Sequence, residues 1–356
     1  MTREARVMAI AELGFTDRQA RFLELVMRHA GVCVLRQYSA FAGIVHGQKT
    51  RAFFAKLLRR GYATSYVCRH NRGRLYHVHH AGLYNVIGEP NSRYRRPVSA
   101  SRATCRLMLL DALLASGDVA WLGTANEVRH HFMALSTVAA AALRVDAEGR
   151  SSVAEGLCAD TSRVGIDSTG RTVLLHLVMP SGREDFRTFL GRHVALLSRV
   201  PAWTLRVVLP RAMAQAYEGI QRVVADEWET PLHPHTIDEL AWYFEQRRRL
   251  PAGHFPLPAD GRFDRAAIAF QGCRFDRLYR RWRRSGVGAL SDSASTTMSE
   301  ALASGSGRVE CLILNHSYDH LAPVINAGER VLDDASNGPH TGSTSGSSSL
   351  DPTIQP

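Results

Sequence analysis

Tyr76, His77, Val78, His79 and His80 run consecutively, and this is the densest set of chemically capable side chains in the sequence. Residues two apart on a strand share a face, so His77 and His79 could grip one divalent metal while a tyrosine attacks a phosphodiester. A second set is Asp160, Asp167 and His176. Metal-dependent hydrolysis of a phosphodiester wants an acidic pair and a lysine that together bind metal and activate water. Here His176 and Val178 stand at the acid and lysine positions of that pattern, and no lysine follows Lys56. The two aspartates alone do not assemble the site. A third set is suited to binding and not to catalysis. Gln48, Lys49, Ala52, Ala55, Lys56 and Arg59 fall on one side of a helical wheel, opposite Thr50, Phe54, Leu57 and Leu58 with Phe53 beside them. Hydrogen-bonding and cationic groups interleaved with alanines suit the floor of a DNA groove.

The 356-residue chain is long enough for two packed domains and has an apolar fraction of 45%. Its net charge is +11. Residues 1–106 hold 19 Arg or Lys against five Asp or Glu, whereas the remainder holds 25 against 28. All the excess lies in the first third, as expected of a segment that neutralises phosphates and releases their counterions. Lys49 and Lys56 are the only lysines, and neither follows glycine, which excludes a Walker A phosphate loop. The six cysteines contain no C-x-x-C pair, so neither a zinc ribbon nor a disulfide framework is expected. No metal, cofactor or small-molecule ligand is expected. No apolar stretch reaches the roughly 18 residues of a membrane span. The start, MTREARVMAIAEL, is too weakly apolar for a signal peptide. The expected location is therefore cytoplasmic, with no membrane partner.

These residues need elements to hold them. The pattern predicts helices over 15–29, 34–44 and 48–60, punctuated by Gly31 and Gly47, then strands over 62–69 and 74–79 around the turn-forming His70-Asn71-Arg72-Gly73. A short helix over 81–87 closes the unit. Two helices, a glycine-bearing turn, a third basic helix and a hairpin make a winged helix-turn-helix, expected over 1–90, and a fragment of residues 1–92 is expected to fold alone. The residues expected to touch DNA are Gln48, Lys49, Thr50, Arg51, Ala52, Lys56, Arg59 and Arg60 on the third helix and Arg69, Arg72 and Arg74 on the wing. Gln48 and Lys49 are assigned to base edges, and Lys56, Arg59, Arg60 and the wing arginines to phosphates.

An arginine-bearing helical connector is predicted over 91–145, then an α/β domain over 146–285 with strands near 164–166, 173–178 and 204–209 and helices over 186–197, 210–225 and 236–249. Arg274, Arg277, Arg280, Arg281, Arg283 and Arg284 surround a helical apolar stripe of unassigned role. The composition of 286–356, rich in Ser, Ala, Gly and Thr, predicts a mostly disordered tail with a short ordered patch at 309–325. The expected class is α+β.

Three resemblances bear on function. The His-hydrophobe-His strand resembles the metal-binding motif of HUH endonucleases, which implies a metal-dependent DNA-nicking enzyme as the alternative reading. The motif lies in a hairpin that the winged helix already explains. The layout around Asp160 resembles a restriction-endonuclease-like core, here degenerate and without the residues for cutting. The stretches FTDRQARFLELVMRHAGVCVLRQYSAFAGI, KTRAFFAKLLRRGYAT, GRLYHVHHAGLYNVIGEP, LMLLDALLASGDVAWLGT and ILNHSYDHLAPVI resemble replication-relaxation proteins of plasmids and integrative conjugative elements. That resemblance implies a non-catalytic regulator or accessory factor of a mobile genetic element. It would bind double-stranded DNA and act in transcription regulation, replication or conjugation, with a homodimer left open.

Overall fold

The computed structural model describes residues 1–67, 73–135, 152–179, 186–249 and 261–318. The chain is mixed α+β with two sheets. It opens on a helix the pattern did not predict, α1 (Arg3–Glu12), which buries Arg6, Val7 and Ile10. Helix α2 (Asp17–His29) starts at Thr16, whose hydroxyl accepts from Gln19 N while the Gln19 amide oxygen accepts from Thr16 N. That reciprocal cap sets its first turn. Next come strand β1 (Val32–Val34), helix α3 (Leu35–Ala42) and helix α4 (Gln48–Arg59). Strands β2 (Ala63–Val67) and β3 (Arg74–Val78) and helix α5 (Ala81–Val86) follow.

The first sheet has the order β1-β3-β2, both pairings antiparallel. Strand β1 was not anticipated, because three residues are too few to show alternation. It pairs Cys33 with Tyr76, while β2 sets Ser65 opposite Tyr76 from the other side. An aromatic cluster holds the helices on this sheet. Phe53 of α4 lies against Phe15, Phe22, Tyr38 and Phe54, and Phe54 lies against Tyr76, with ring centroids 4.3–6.2 Å apart. Each fully buried ring removes enough apolar surface from water to contribute about 2–3 kcal/mol.

Helix α6 (Ala100–Ala115) is buried along most of its length. Strand β4 (Val119–Trp121), helix α7 (Ala125–Leu135) and helix α8 (Ser152–Leu157) lead into strands β5 (Ser162–Asp167) and β6 (Thr172–Leu177). Helix α9 (Phe186–Leu197), strand β7 (Trp203–Leu209) and helix α10 (Tyr217–Val224), which runs into a π turn at Ala225–Glu229, come next. Helices α11 (Pro234–Arg249), α12 (Arg262–Ala269) and α13 (Cys273–Ser285) form a separate layer with its own core. The short α14 (Ser291–Ala294), α15 (Thr297–Ser304) and strand β8 (Gly307–Ile313) complete the described chain.

The second sheet has the order β4-β5-β6-β7-β8, antiparallel as far as β6 and parallel from there to β8. Its two faces belong to different cores. Leu175, Leu177 and Val208 join the cluster of α6 and the first sheet. Leu174, Leu205, Val207 and Leu209 join the cluster of α7, α8, α9 and α10.

Two expectations change. The predicted connector over 91–145 contains strand β4, and its first helix, α6, is a core element of both halves. The predicted tail is structured between 286 and 318. Its β8 closes the sheet because Gly307 lets the Trp203 ring lie where a Cβ would sit only 2.4 Å away. The ordered patch expected at 309–325 overlaps β8 and Leu314–Tyr318, and its residues 319–325 lie outside the described residues.

Candidate nucleic-acid interface

The groove-facing set is best followed from the inside of α4 outward. Phe53, Phe54 and Leu57 anchor the helix in the aromatic cluster. Thr50 is anchored with them: it is 0% exposed and its hydroxyl lies 3.0 Å from that of Ser39. Its inclusion in the contact set is corrected, since a side chain spent on the α3–α4 packing has nothing left for DNA. Gln48, Lys49, Arg51, Ala52, Ala55 and Arg59 are exposed. Gln48, Ala52, Ala55 and Arg59 recur at four-, three- and four-residue steps, so they line one stripe with Arg51 alongside. Among the described residues Lys49, Arg51 and Arg59 have no ion-pair or hydrogen-bond partner.

Lys56 and Arg60 behave differently. Lys56 Nζ donates to the Gly14 carbonyl and lies over the Phe15 ring, 4.7 Å from its centroid. Burial, then Arg60 and Arg59, push its ammonium below the ordinary lysine value. Arg60 donates to the Leu13 carbonyl and lies 5.9 Å from the same ring. Both brace the α1–α2 turn, with Arg60 exposed and Lys56 at the edge of the cleft beside α4. Arg74 starts β3, exposed, with Nη1 donating to Ser65 Oγ at 3.1 Å. Arg69 and Arg72, assigned to the wing tip, lie outside the described residues.

The sequence itself carries a further signal, a long basic span free of acids. No Asp or Glu occurs between Glu24 and Glu89, a span with ten Arg or Lys. The surface of α3, α4 and the hairpin therefore carries no carboxylate of its own. Arg18, exposed at the start of α2 and donating to the Ala42 carbonyl at 3.2 Å, adds a cation beside α4. Together with Thr16, Gln19, Lys49, Ala52 and Lys56 it lines an open cleft along α4, whose one carboxylate, Asp17, is paired with Arg21 at 2.8 Å.

Some of the charge excess is consumed internally. Arg28 pairs with Glu89 at 3.1 Å and also with Glu127 and Glu24, and Arg6 pairs with Glu24 at 3.0 Å. Arg93, Arg102 and Arg106, counted above toward a polyanion partner, all reach Asp160 at 3.1–3.4 Å. Burial pushes the Asp160 carboxyl up, but these guanidinium groups outweigh it and hold the group below the usual carboxylate range.

The catalytic alternatives fare according to geometry. His77 is buried with Nε2 3.0 Å from the Tyr94 carbonyl oxygen, and His79 Nε2 lies 2.8 Å from Thr64 Oγ1. His80 caps α5 by accepting from Gly82 N. Tyr76 packs on Phe54. Each histidine is spent on its own structural bond, and their free ring edges are not joined by an acidic ligand. At the second site, Asp167 closes the β5–β6 turn through Thr169 and Arg171, at the opposite end of β5 from Asp160. His176 stacks on Phe189 with centroids 3.9 Å apart, and burial pushes it down to about 3. Among the described residues no group of three or more His, Cys, Asp or Glu is placed to hold a metal ion. No helix among them is long and apolar enough to cross a membrane. No family model matches this chain, and neither a curated protein nor a solved structure matches it, so the site rests on its own geometry.

Proposed function

We propose that residues 17–86 form a winged helix with α4 as recognition helix and β2–β3 as wing. We infer from it a non-catalytic double-stranded-DNA-binding regulator or accessory protein of a mobile genetic element. One observation carries the reading: the outer face of α4 presents Gln48, Lys49, Arg51 and Arg59 around Ala52 and Ala55, with these three cations unpaired among the described residues, inside a 64-residue span without an acid. A helix face with free guanidinium groups and small residues between them fits the major groove, where bidentate contacts to base edges discriminate by about 1–3 kcal/mol each. The helix–strand–helix–helix–hairpin order supports the same assignment. The mobile-element context follows from the resemblance to replication-relaxation proteins alone.

For the second half we propose a restriction-endonuclease-like scaffold without cutting activity. The antiparallel-then-parallel pairing supports such a core, with the order α6, β4, β5, β6, α9, β7 interrupted by α7 and α8 between β4 and β5. Asp160, at the position of its metal-binding acid, is saturated by three arginines. The nicking alternative is the weaker reading: the His77 and His79 ring centroids lie 5.4 Å apart, but Nε2 of each is already engaged, by the Tyr94 carbonyl and the Thr64 hydroxyl, and among the described residues no acidic ligand completes a metal site.

The test uses the full chain, a selected binding site and a scrambled duplex. Arg51→Gln with Arg59→Gln is expected to weaken binding to both and to flatten the slope of log affinity against log salt by about 2, one counterion per lost phosphate contact. Gln48→Ala with Lys49→Ala is expected to lower affinity for the selected site only. Binding that ignores salt, or that survives all four substitutions unchanged, removes the reading.

A further inference from the structure

The arginines of α13 remain unexplained by anything above. This helix buries Leu278 and Trp282, with Phe275 and Tyr279 partly covered, against Leu240, Tyr243 and Phe244 of α11, Phe263 of α12 and Phe270 just after it. Two arginines serve its docking: Arg274 donates to the Thr230 carbonyl at 2.9 Å and Arg277 pairs with Glu227 of the π turn. Arg280, Arg283 and Arg284 do not. All three are exposed. Arg280 and Arg284 reach only the backbone carbonyls of Asp276 and Arg280, at 3.3 Å each, and Arg283 has no partner among the described residues.

The end of α11 brings more positive charge to the same place. Arg247 lies 4.4 Å from the Tyr279 ring centroid and pairs with Asp276 at 3.1 Å, while Arg248 lies 5.5 Å from the Trp282 ring centroid. Asp276 is therefore already neutralised, and Glu245 is shared by Arg248 and Arg249. Cations in a last turn do favour the helix dipole by about 0.3–1 kcal/mol. That accounts for a cation at each helix end. It does not account for Arg280, a turn earlier, which has Arg277, Arg283 and Arg284 at three and four residues' distance against one opposite charge, Asp276, that Arg247 already shares.

We propose that Arg280, Arg283 and Arg284, with Arg247 and Arg248 beside them, form a second surface for DNA phosphates, separate from α4. The proposal rests on the reading of the chain as a DNA-binding protein. Repulsion within the patch is relieved when phosphates replace the missing carboxylates. An anionic membrane is the poorer fit, because insertion needs an apolar helix face and that of α13 is already buried in the three-helix core. The patch also lies in a different layer from α4. The first module packs on the Leu175 and Val208 face of the second sheet, whereas α13 docks through Arg277 onto the π turn, whose Trp228 belongs to the opposite face's core. DNA is stiff over about 150 base pairs, so the two surfaces suit two duplex segments or one strongly bent duplex.

Three forms of the full chain test this: wild type, Arg280→Gln with Arg283→Gln and Arg284→Gln, and Arg51→Gln with Arg59→Gln. Each is titrated by fluorescence anisotropy against a random-sequence duplex of about 60 base pairs between 50 and 200 mM salt, and by sedimentation with phosphatidylserine vesicles. The α13 variant is expected to bind DNA about tenfold more weakly at 100 mM salt, with the salt slope reduced by about 2–3. Wild-type affinity and slope in the α13 variant overturn the proposal, whatever the α4 variant does, as does a loss confined to vesicle binding. Failure of the α4 variant to weaken binding, with the α13 variant weakened, leaves this surface standing and removes the α4 reading instead.

Discussion

His77, His176 and His193 are buried, and each has one ring nitrogen near an oxygen of a neighbour: the Tyr94 carbonyl, the Ser162 hydroxyl and the Phe189 carbonyl. Burial is the largest cause in all three and pushes them down to about 4, about 3 and about 4 from 6.5. A group whose folded value lies below its unfolded value stabilises the fold fully above the unfolded value. That contribution disappears as pH falls toward the folded one. Stability is therefore expected to fall from about pH 6.5 down to about 4, with a slope of up to roughly 4 kcal/mol per pH unit if all three take up protons on unfolding. Urea midpoints at pH 7.5, 6.0 and 5.0 check it; identical midpoints would show that these rings open to water without unfolding. The residue scale also holds the clearest limit on reading function from composition. Of the arginines in 93–106, three are bound to Asp160, and only the fold decides which cations are free.

Among the elements, α6 has the largest gap between pattern and role. Its run of Leu107, Leu109, Leu110 and Leu113 is legible as helix, but apolar residues all round a helix do not say what will surround it. In the fold all four join the cluster of the first sheet. The Gln37 side chain donates to the Leu107 carbonyl at 2.9 Å, and Arg36 makes a two-pronged pair with Asp111 at 2.7 Å. A fragment of residues 1–92, expected from the pattern to fold alone, thus exposes the surface on which α6 packs. Four buried leucines contribute about 6–12 kcal/mol in burial alone, comparable with the whole stability of a domain. The 1–92 fragment is expected to melt without a cooperative transition, and a 1–116 fragment to regain one by circular dichroism. A sharp transition in the shorter fragment would return α6 to the status of connector.

Across the whole molecule the two halves share atoms as well as a core. Arg163 on β5, 1% exposed, donates to the His29 carbonyl at 2.6 Å and to the Tyr94 hydroxyl, across 134 and 69 residues of chain. Tyr318, beyond β8, donates to Asp111 of α6, which also holds Arg36 of α3. The end of the described chain therefore touches the helix pair that carries α4. Gly307 tests whether this closing strand is structural. A Cβ there would meet Trp203 at 2.4 Å, so Gly307→Ala is expected to cost about 1–3 kcal/mol in a denaturation experiment. No effect would place β8 outside the cooperative unit.

The sequence by itself determined the helices and strands whose apolar period is long enough to read. The span over 48–60 became α4 (Gln48–Arg59), and 186–197 became α9. It also determined the acid-free basic span that makes the first module a plausible match for phosphate. Short strands such as β1 and β4 lie below the length at which alternation can be recognised, and their pairing partners are distant in the chain. Which cations stay free was decided by tertiary structure alone. Arg51 and Arg59 face outward, Lys56 and Arg60 turn back to the Leu13–Phe15 turn, and Thr50 is consumed by Ser39. The physical reason is that a charge's partner is set by proximity in space, and a one-dimensional pattern records only the order along the chain.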